Sequence, residues 1–380
     1  MLLYVHVPFC RQKCAYCSFY SEAGAIRAGA GARRAYLNAL ALDFERAAEG
    51  RIFDTLYLGG GTPTMLAAEE LAELLDIIRR RAVFAPGAEK TAEANPGTLT
   101  AEKLALLKAG GINRLSLGVQ SLSDDLLTRC GRRQRAADTW RALALARRAG
   151  FVNIGCDLLF GLPGQKAADW RDTLRALSGA GLTHLSLYAL TPEAGTPLAA
   201  DMAAGRTTLP DDDAEADMYE WAREFLAGAG YRQDEISNFS LENYACRHNF
   251  GYWRGEEYLG LGAGAVSCLR EQGKLRRTRR AEAGEYARLL SLGRAPLAPA
   301  GTEIIEPETE RREYVMLGLR TREGISCREF ERRFGRNLED IFGPLPQELA
   351  RAGLLLEEGE RLRLNPRYYF VANSILVKFI

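Results

Sequence analysis

The feature that most constrains the fold is a regular alternation of strand-like and helix-like segments. Six apolar, β-branched stretches interleave with helical patterns in the order LLYVHVPF, DTLYLGGGTPT, EKTAEANPGT, INRLSLGVQS, FVNIGCDLLFGLPGQ and LTHLSLYALTP. Helical periodicity is clear between them, for example over residues 67–81 and 136–149. This alternation favours parallel strands joined by right-handed crossover helices. The sequence therefore predicts the α/β class.

Two architectures fit this number of strand–helix units. Six units are too few for a complete eight-stranded barrel, but they fit an open, partial (β/α)6 barrel of the TIM type. A doubly wound sheet is the alternative. Glycine clusters and single polar residues fall at the carboxyl ends of the strands, as in GGGTPT and LSLGVQS. Because barrels place their chemistry at that end, the partial barrel is the favoured prediction.

The last part of the chain has a different character. Residues 301–380 predict helices followed by a β-hairpin around Glu358 and Gly359, the order of a winged-helix-like α+β domain. We therefore predict a barrel with accessory elements over residues 1–300, with a linker at Ala295–Gly301. Winged helices often bind nucleic acid, but the segment of residues 301–380 that would recognise it is as acidic as it is basic. A packing or partner-contact role is favoured, and no nucleic acid is expected.

Composition narrows the function classes. The chain has 380 residues and a formal net charge of +1, which gives no electrostatic reason for binding nucleic acid or an anionic membrane. No apolar run approaches the length of a membrane span. The first residues, MLLYVHVPF, predict a strand rather than a signal peptide, so a cytoplasmic location is expected. In a reducing compartment, clustered cysteines favour metal or redox chemistry over disulfides.

Three of the eight cysteines, Cys10, Cys14 and Cys17, form a C-x3-C-x2-C pattern. Structural zinc sites use four ligands and His6 is poorly placed to supply one, so zinc is the less favoured alternative. A 4Fe–4S cluster held by three thiolates leaves one iron without a protein ligand. That iron can be chelated by the amine and carboxylate of S-adenosylmethionine. Buried thiols are the simplest interpretation of the other five cysteines.

The cysteine pattern, with an aromatic residue before its last cysteine, resembles the radical S-adenosylmethionine (radical SAM) superfamily. The segments YVHVPFC, GGGTPT, EANP, LSLGVQS, CDLLFGLPGQ and YLGLGAGAVS occur in an order similar to its coproporphyrinogen-III-oxidase-like branch, over essentially the whole chain. The resemblance implies that Tyr4, Gly60, Glu93 and Val266 line the S-adenosylmethionine on the cluster, and that Tyr16, Gly61, Thr62, Gln120, Arg132, Asp157 and Ala189 hold a second one.

Two departures from the oxidases favour the HemW-type heme chaperones of this branch. Phe19 stands where the oxidases carry an extra cysteine, and the motif begins at Cys10 without their N-terminal extension. The resemblance implies a protein that binds heme as cargo and passes it to apoproteins. The alternative is an oxygen-independent coproporphyrinogen III oxidase, which would decarboxylate propionate side chains. Whether the protein is an enzyme is left open at this point.

The segment RHNFGYW contains the H-N-x-x-Y-W pattern of the chaperone group. His248 could ligate heme iron as an exposed side chain, with Tyr252 and Trp253 flanking the porphyrin. The simpler alternative is a buried turn with satisfied polar tips. The basic stretch Lys274–Arg280 is interpreted as a solvated rim, with pairing to heme propionates as the alternative. Expected partners are heme, heme-accepting apoproteins (respiratory ones among them), an electron donor such as flavodoxin or ferredoxin, and a second copy of the chain.

Overall fold

The computed structural model describes residues 1–23 and 29–380. Its strands are β1 (Leu2–Val7), β2 (Phe9–Cys10), β3 (Glu22–Ala23), β4 (Ile52–Gly60), β5 (Val83–Ala94), β6 (Arg114–Gln120), β7 (Asn153–Phe160), β8 (His184–Ala189), β9 (Arg232–Gln233), β10 (Asn238–Ser240), β11 (Tyr258–Leu261), β12 (Val266–Glu271), β13 (Lys274–Arg280), β14 (Leu297–Ile305), β15 (Ile325–Ser326), β16 (Leu355–Glu358) and β17 (Arg361–Leu364).

The helices alternate with these strands through the first part of the chain. They are α1 (Gly29–Ala47), α2 (Ala68–Arg81), α3 (Ala101–Ala109), α4 (Asp124–Arg129), α5 (Ala136–Arg148), α6 (Ala167–Ser178), α7 (Pro197–Ala203), α8 (Asp212–Gly228), α9 (Arg247–Trp253), α10 (Ala283–Ser291), α11 (Pro307–Leu319), α12 (Cys327–Phe334), α13 (Leu338–Phe342), α14 (Leu345–Arg351) and α15 (Ala372–Leu376). Short 3-10 turns occupy Pro63–Met65, Pro96–Thr98, Pro366–Tyr368 and Val377–Phe379.

The central sheet confirms the partial barrel. Strands β1, β4, β5, β6, β7 and β8 lie side by side in chain order and pair in parallel. A doubly wound sheet would reverse the strand order at a switch point, and this run contains no such reversal. Strand β11 adds to β1 in parallel, and β12, β13 and β14 continue antiparallel beyond it. All carboxyl ends of the six parallel strands therefore open on one face.

The alternating pattern of the sequence explains why these segments pack as they do. In β1, Leu3, Val5 and Val7 have no exposed surface and belong to the main core. In α2, residues such as Leu71 and Leu74 repeat at helical spacing and pack onto the same core, while two of the three arginines in the last turn are exposed to solvent. Burial of these two apolar faces holds each helix against the strands that flank it.

The predicted linker at Ala295–Gly301 is wrong. Residues from Leu297 onward form β14, the outermost strand of the large sheet, which pairs with β13. Edge strands tolerate proline because one side of the strand has no partner to receive a backbone N–H. Pro299 lies within this edge strand. The division at residue 301 stays a prediction, although a strand crosses it and the following helix begins at Pro307.

The last 70 or so residues form the predicted winged-helix-like α+β domain. After α11, the short strand β15 leads into α12, α13 and α14, and the hairpin β16–β17 completes a three-stranded sheet in the order β15-β17-β16. Helix α11 packs against α9 of the barrel region. No helix in residues 1–23 and 29–380 is long and apolar enough to cross a membrane.

Candidate cofactor site and cavity at the barrel mouth

The three cysteines follow β1 at the open face of the barrel. Cys10 belongs to the short strand β2, and a tight turn in which the Cys17 N–H donates to the Cys14 carbonyl at 3.2 Å carries the other two. All three side chains are partly exposed. The Cys10 sulfur lies 3.6 Å from the Thr62 hydroxyl, so the glycine turn after β4 contacts the cysteine loop directly.

The chemistry of these thiols fits a bound cluster. Burial is the main cause that raises the pKa of Cys10 and of Cys17, so both are neutral thiols until a metal displaces their protons. No group of three or more His, Cys, Asp or Glu side chains in the described ranges is arranged around a single metal ion. In a 4Fe–4S cluster each thiolate binds a different iron, so the three sulfurs need not surround one metal ion.

The glycine turn is required by close packing. A side chain at Gly60, whose φ is +109°, would place its Cβ 2.8 Å from the His6 ring. At Gly61 the Cβ would lie 2.7 Å from the Phe9 carbonyl oxygen. Only glycine allows the turn to approach the segment that carries Cys10. The position of the turn beside the cysteine segment is therefore explained by its close contacts with β1 and β2.

Two carboxylates face the barrel interior near the carboxyl ends of their strands. The Tyr57 hydroxyl donates to Glu93 Oε1 at 2.9 Å, and the Ser116 hydroxyl donates to Asp157 at 3.2 Å. Burial first, and then the Asp157 charge, raises the pKa of Glu93 to about 7. Burial also raises the pKa of Asp157. These oxygens can accept hydrogen bonds from a polar ligand that enters the barrel mouth.

The other residues predicted to contact S-adenosylmethionine belong to barrel strands, to the segments that follow them, or to the flanking strand β12. Gly60, Gln120 and Ala189 are each the last residue of a barrel strand, and Gln120 has a positive φ of 68°. Tyr4 lies on β1, where its hydroxyl is 3.0 Å from the His6 ring. The remaining positions are Tyr16 in the cysteine turn, Gly61 and Thr62 after β4, Arg132 after α4, and Val266 at the start of β12. Contacts link some of these residues, such as Arg132 with Tyr16, while the S-adenosylmethionine contacts of the whole set stay predictions.

The expectation that His248 is an exposed ligand is wrong. Its side chain is fully buried, with Nδ1 2.6 Å from the Thr55 hydroxyl and Nε2 3.0 Å from the Tyr252 hydroxyl. The Tyr57 ring packs against it at a centroid distance of 5.1 Å. Burial, and then the charge of Arg114, lowers the pKa of His248 to about 3. The simpler alternative, a buried turn with satisfied polar tips, describes this histidine.

The two aromatic residues of the same helix have a different environment. Tyr252 and Trp253 line a cavity of about 740 Å³ between the flanking strands β11–β13 and helix α11. The wall also includes Val266, Met316 and, from the segment just after the last cysteine, the 72 % exposed Phe19. One end of the cavity reaches Tyr4 on β1. The cavity therefore adjoins the cysteine loop.

The two arginines of β13 that line this cavity differ in their ion pairs. Arg277 is paired with Glu303 at 3.0 Å and with Glu313 at 2.7 Å. Arg279 also lines the cavity and is exposed, and no carboxylate in residues 1–23 and 29–380 lies within ion-pair distance of it. The interpretation of Lys274–Arg280 as a solvated rim therefore holds only in part, because two of its arginines face a cavity.

Comparison with known proteins shows the family. Residues 4–177 match the model of the radical SAM superfamily, and residues 305–370 match that of the HemN C-terminal domain. The heme chaperone HemW of Bacillus subtilis is 35 % identical over 99 % of this chain and 98 % of its own length. HemW of Escherichia coli is 34 % identical over 100 % of this chain and 97 % of its own. The chain belongs to the HemW branch of the radical SAM superfamily.

A mitochondrial relative and a solved structure agree with this placement. A mitochondrial relative from Bos taurus, radical S-adenosyl methionine domain-containing protein 1, is 34 % identical over 100 % of this chain and 87 % of its own length. Among solved structures, the coproporphyrinogen III oxidase HemN of Escherichia coli superimposes with a TM-score of 0.83 at 23 % identity, covering 100 % of this chain and 89 % of that one. At that identity the likeness shows the fold alone.

Membership of the radical SAM superfamily implies a 4Fe–4S cluster and S-adenosylmethionine. Three cysteines close to a glycine turn, and two buried carboxylates in the neighbouring barrel strands, fit both groups. In such proteins the cluster supplies one-electron chemistry to the S-adenosylmethionine bound to it. The chain's own residues hold the sulfurs, shape the turn around them and offer acceptors at the strand ends.

Sequence reasoning missed most of the cavity. Met316 and Tyr314 come from α11, roughly 300 residues after the cysteines, and no short motif connects them. The sequence indicates His6 only as a poorly placed zinc ligand, yet it lines the same cavity and its Nε2 lies 3.0 Å from the Tyr20 carbonyl oxygen. A sequence signal for the cavity is the strand Lys274–Arg280, which has several basic residues and no acidic ones.

Proposed function

We propose that this protein is a heme chaperone, which binds heme and transfers it to apoproteins. In this proposal the 4Fe–4S cluster is held by Cys10, Cys14 and Cys17, and S-adenosylmethionine lies at the strand ends beside it. The names of its HemW relatives support the proposal. The observation that carries it is the large cavity next to the cysteine loop, because the proposal needs a place for a macrocycle close to the cofactors.

The chemistry of the cavity suits a tetrapyrrole. A volume of about 740 Å³ falls within the range of ligand pockets, roughly 300–1,000 Å³. Tyr252, Trp253 and Phe19 offer aromatic surface for a flat apolar ring, and Met316 offers a thioether. The guanidinium of Arg279, which has no carboxylate of residues 1–23 and 29–380 within ion-pair distance, can meet a propionate carboxylate. Heme has a flat apolar ring and propionate carboxylates, so it matches both the aromatic surface and the guanidinium of the cavity.

In this proposal His248 lies behind the cavity wall and contacts Tyr252, which lines the cavity. Both of its ring nitrogens have buried partners, so binding iron would leave Thr55 or Tyr252 without a hydrogen bond. The contact with the Tyr252 hydroxyl instead fixes the ring that forms part of the cavity wall. We therefore assign His248 a packing role in heme binding.

Filling the cavity tests the proposal. Met316→Trp places a bulky side chain in the cavity, and we expect it to weaken hemin binding at least tenfold, measured as the Soret band change in an anaerobic titration. Val152→Trp, at a 71 % exposed position outside the cavity lining, is the matched control and should bind as the unmodified protein does. If hemin shows no Soret change with the unmodified protein or with any variant, the chaperone proposal fails.

The same titration locates the site. His248→Ala should unfold at lower denaturant concentration but keep the Soret change under conditions where it remains folded. Should His248→Ala lose the change while Met316→Trp keeps it, heme binds inside the barrel and the cavity assignment is wrong.

A coproporphyrinogen oxidase is the second candidate. The observation that favours it is the pair of buried carboxylates, Glu93 and Asp157, in the barrel strands, because both are also predicted to contact S-adenosylmethionine. Anaerobic incubation of the reconstituted protein with coproporphyrinogen III, S-adenosylmethionine and a one-electron reductant decides between the two. Decarboxylated product would favour the oxidase, and we expect none. The flavodoxin or ferredoxin donor and homodimerisation stay predictions.

A further inference from the structure

Arg132 lies directly behind the cysteine loop. One terminal nitrogen of its guanidinium, Nη1, is 3.7 Å from the Cys14 sulfur and donates to the Tyr16 hydroxyl at 3.0 Å. The other, Nη2, lies 2.6 Å from Asn95 Oδ1, 2.7 Å from the Gly118 carbonyl oxygen and 2.9 Å from Gln134 Oε1. Both ends of the guanidinium therefore have several acceptors, and one of those is a sulfur expected to bind the cluster.

No carboxylate in the part of the chain that the structure describes lies within ion-pair distance of this guanidinium, although its charge acts on the buried Asp157. Within residues 1–23 and 29–380, every hydrogen-bond acceptor of Arg132 is a neutral group or the Cys14 sulfur. The side chain is only partly exposed. A partly buried cation that lacks a counter-ion needs a nearby anion. A cluster bound through three thiolates is such an anion, and Cys14 is its point of contact.

Gly118, which has no side chain, leaves space for Asn95 and Arg132. A Cβ at Gly118 would lie 3.0 Å from Asn95 Oδ1 and 3.6 Å from Arg132 Nη2, so a larger residue would crowd both groups. Asn95 also donates through Nδ2 to the Thr62 hydroxyl at 2.8 Å, and that hydroxyl is 3.6 Å from the Cys10 sulfur. One asparagine therefore links the groups that contact two of the three sulfurs.

We propose that Arg132, positioned by Asn95, raises the reduction potential of the 4Fe–4S cluster by placing a positive charge and an N–H donor against the Cys14 sulfur. Adding one electron from an external reductant makes the cluster one unit more negative, and a nearby cation stabilises that reduced state more than the oxidised state. Hydrogen bonds to cluster sulfurs and the net charge around them are known to set such potentials. The proposal rests on the presence of the cluster and is independent of heme binding.

This role differs from holding the carboxylate of a second S-adenosylmethionine. A bidentate grip on a carboxylate needs two free parallel N–H groups. Here the Nη2 group is already surrounded by Asn95, Gly118 and Gln134, and Nη1 by Tyr16 and Cys14. The geometry favours the sulfur as the group on which this charge acts.

Redox titration of the reconstituted holoprotein tests the proposal, with the reduced cluster followed by electron paramagnetic resonance. Arg132→Gln should make one-electron reduction at least tenfold less favourable, which is a shift of about 59 mV to lower potential. Arg132→Lys keeps the charge and should recover part of the shift. Arg133→Gln, at the exposed neighbouring arginine, is the matched control and should leave the potential unchanged.

A second variant keeps the test decisive if Arg132→Gln cannot hold the cluster. Asn95→Asp is nearly isosteric and places a carboxylate beside the guanidinium, so it should lower the potential in the same direction while Arg132 remains. If the potential of both variants equals that of Arg133→Gln, the proposal is wrong. An unchanged potential together with a loss of S-adenosylmethionine affinity would assign Arg132 to the cofactor instead. Lost iron and sulfide in Asn95→Asp as well would show that the network is structural, which also overturns it.

Discussion

Among single residues, Glu93 is a buried carboxylate near the carboxyl end of its barrel strand. Its carboxylate is buried, shares the interior with Asp157 and accepts one hydrogen bond from Tyr57. Its pKa is raised from 4.5 to about 7. A carboxyl group with this pKa is close to half protonated at neutral pH. It can therefore accept a hydrogen bond from a ribose hydroxyl when ionised, or donate one when neutral.

The raised pKa of Glu93 predicts a pH dependence of stability. Because the folded pKa lies above the unfolded one, the stabilising contribution is complete below pH 4.5 and is lost as the pH rises through about 7. Glu93→Gln removes the titration while keeping an acceptor for Tyr57. We expect the free energy of unfolding of the ligand-free protein, relative to Glu93→Gln, to fall by about 3 kcal/mol over that interval.

Urea unfolding at a series of pH values measures this difference. A gap between the two proteins that is constant from pH 4.5 to pH 8 would show that Glu93 titrates as an ordinary exposed carboxylate. The same pair of proteins also tests ligand contact, since Glu93→Gln should bind S-adenosylmethionine more weakly while its cluster stays in place.

Among the structural elements, the turn after β4 is the one on which the site depends most. Gly60 and Gly61 let it pass within contact distance of His6 and of the Phe9 carbonyl, and Thr62 then reaches the Cys10 sulfur. A segment of three glycines is often interpreted as a flexible loop. Here the glycines serve close packing, which places the turn beside the cysteines before any ligand binds.

Replacing Gly60 separates close contact from backbone strain. Gly60→Ala combines a positive φ with a Cβ 2.8 Å from the His6 ring, and we expect it to lower the free energy of unfolding by about 2–4 kcal/mol. Gly87→Ala is the matched control, because Gly87 also has a positive φ of 72° but nothing within 4 Å of its Cβ. It should cost only about 1 kcal/mol. Equal losses would mean that the contact with His6 is relieved at little cost.

The elements also show where sequence patterns suffice. Strand–helix alternation predicted the six parallel strands and the strand-end location of Glu93 and Gln120, because both follow from local periodicity. Proline and small residues around Pro299 predicted a linker, but the segment pairs as the edge strand β14. Its partner, β13, is adjacent only in the fold, and the composition of an edge strand resembles that of a loop.

At the scale of the whole molecule, the structure joins two sites that the sequence keeps apart. The cysteine loop comes from the start of the chain, and Met316 comes from the helix that begins at Pro307, yet both border one cavity. The sequence could predict the three cysteines as cluster ligands because their spacing is typical of such a site. It could not show that His248 is buried while Tyr252, one helical turn later, faces the cavity, because the side of a short helix that packs inward depends on tertiary contacts.

The central claim is that three thiolates hold a 4Fe–4S cluster with one iron free to bind S-adenosylmethionine. Mössbauer spectroscopy of protein enriched in iron-57 and kept free of air tests it most directly. We expect the signals of a 4Fe–4S cluster in which S-adenosylmethionine alters one iron site and leaves the others unchanged. Zinc bound at Cys10, Cys14 and Cys17, or a cluster in which S-adenosylmethionine changes no iron site, would contradict the account.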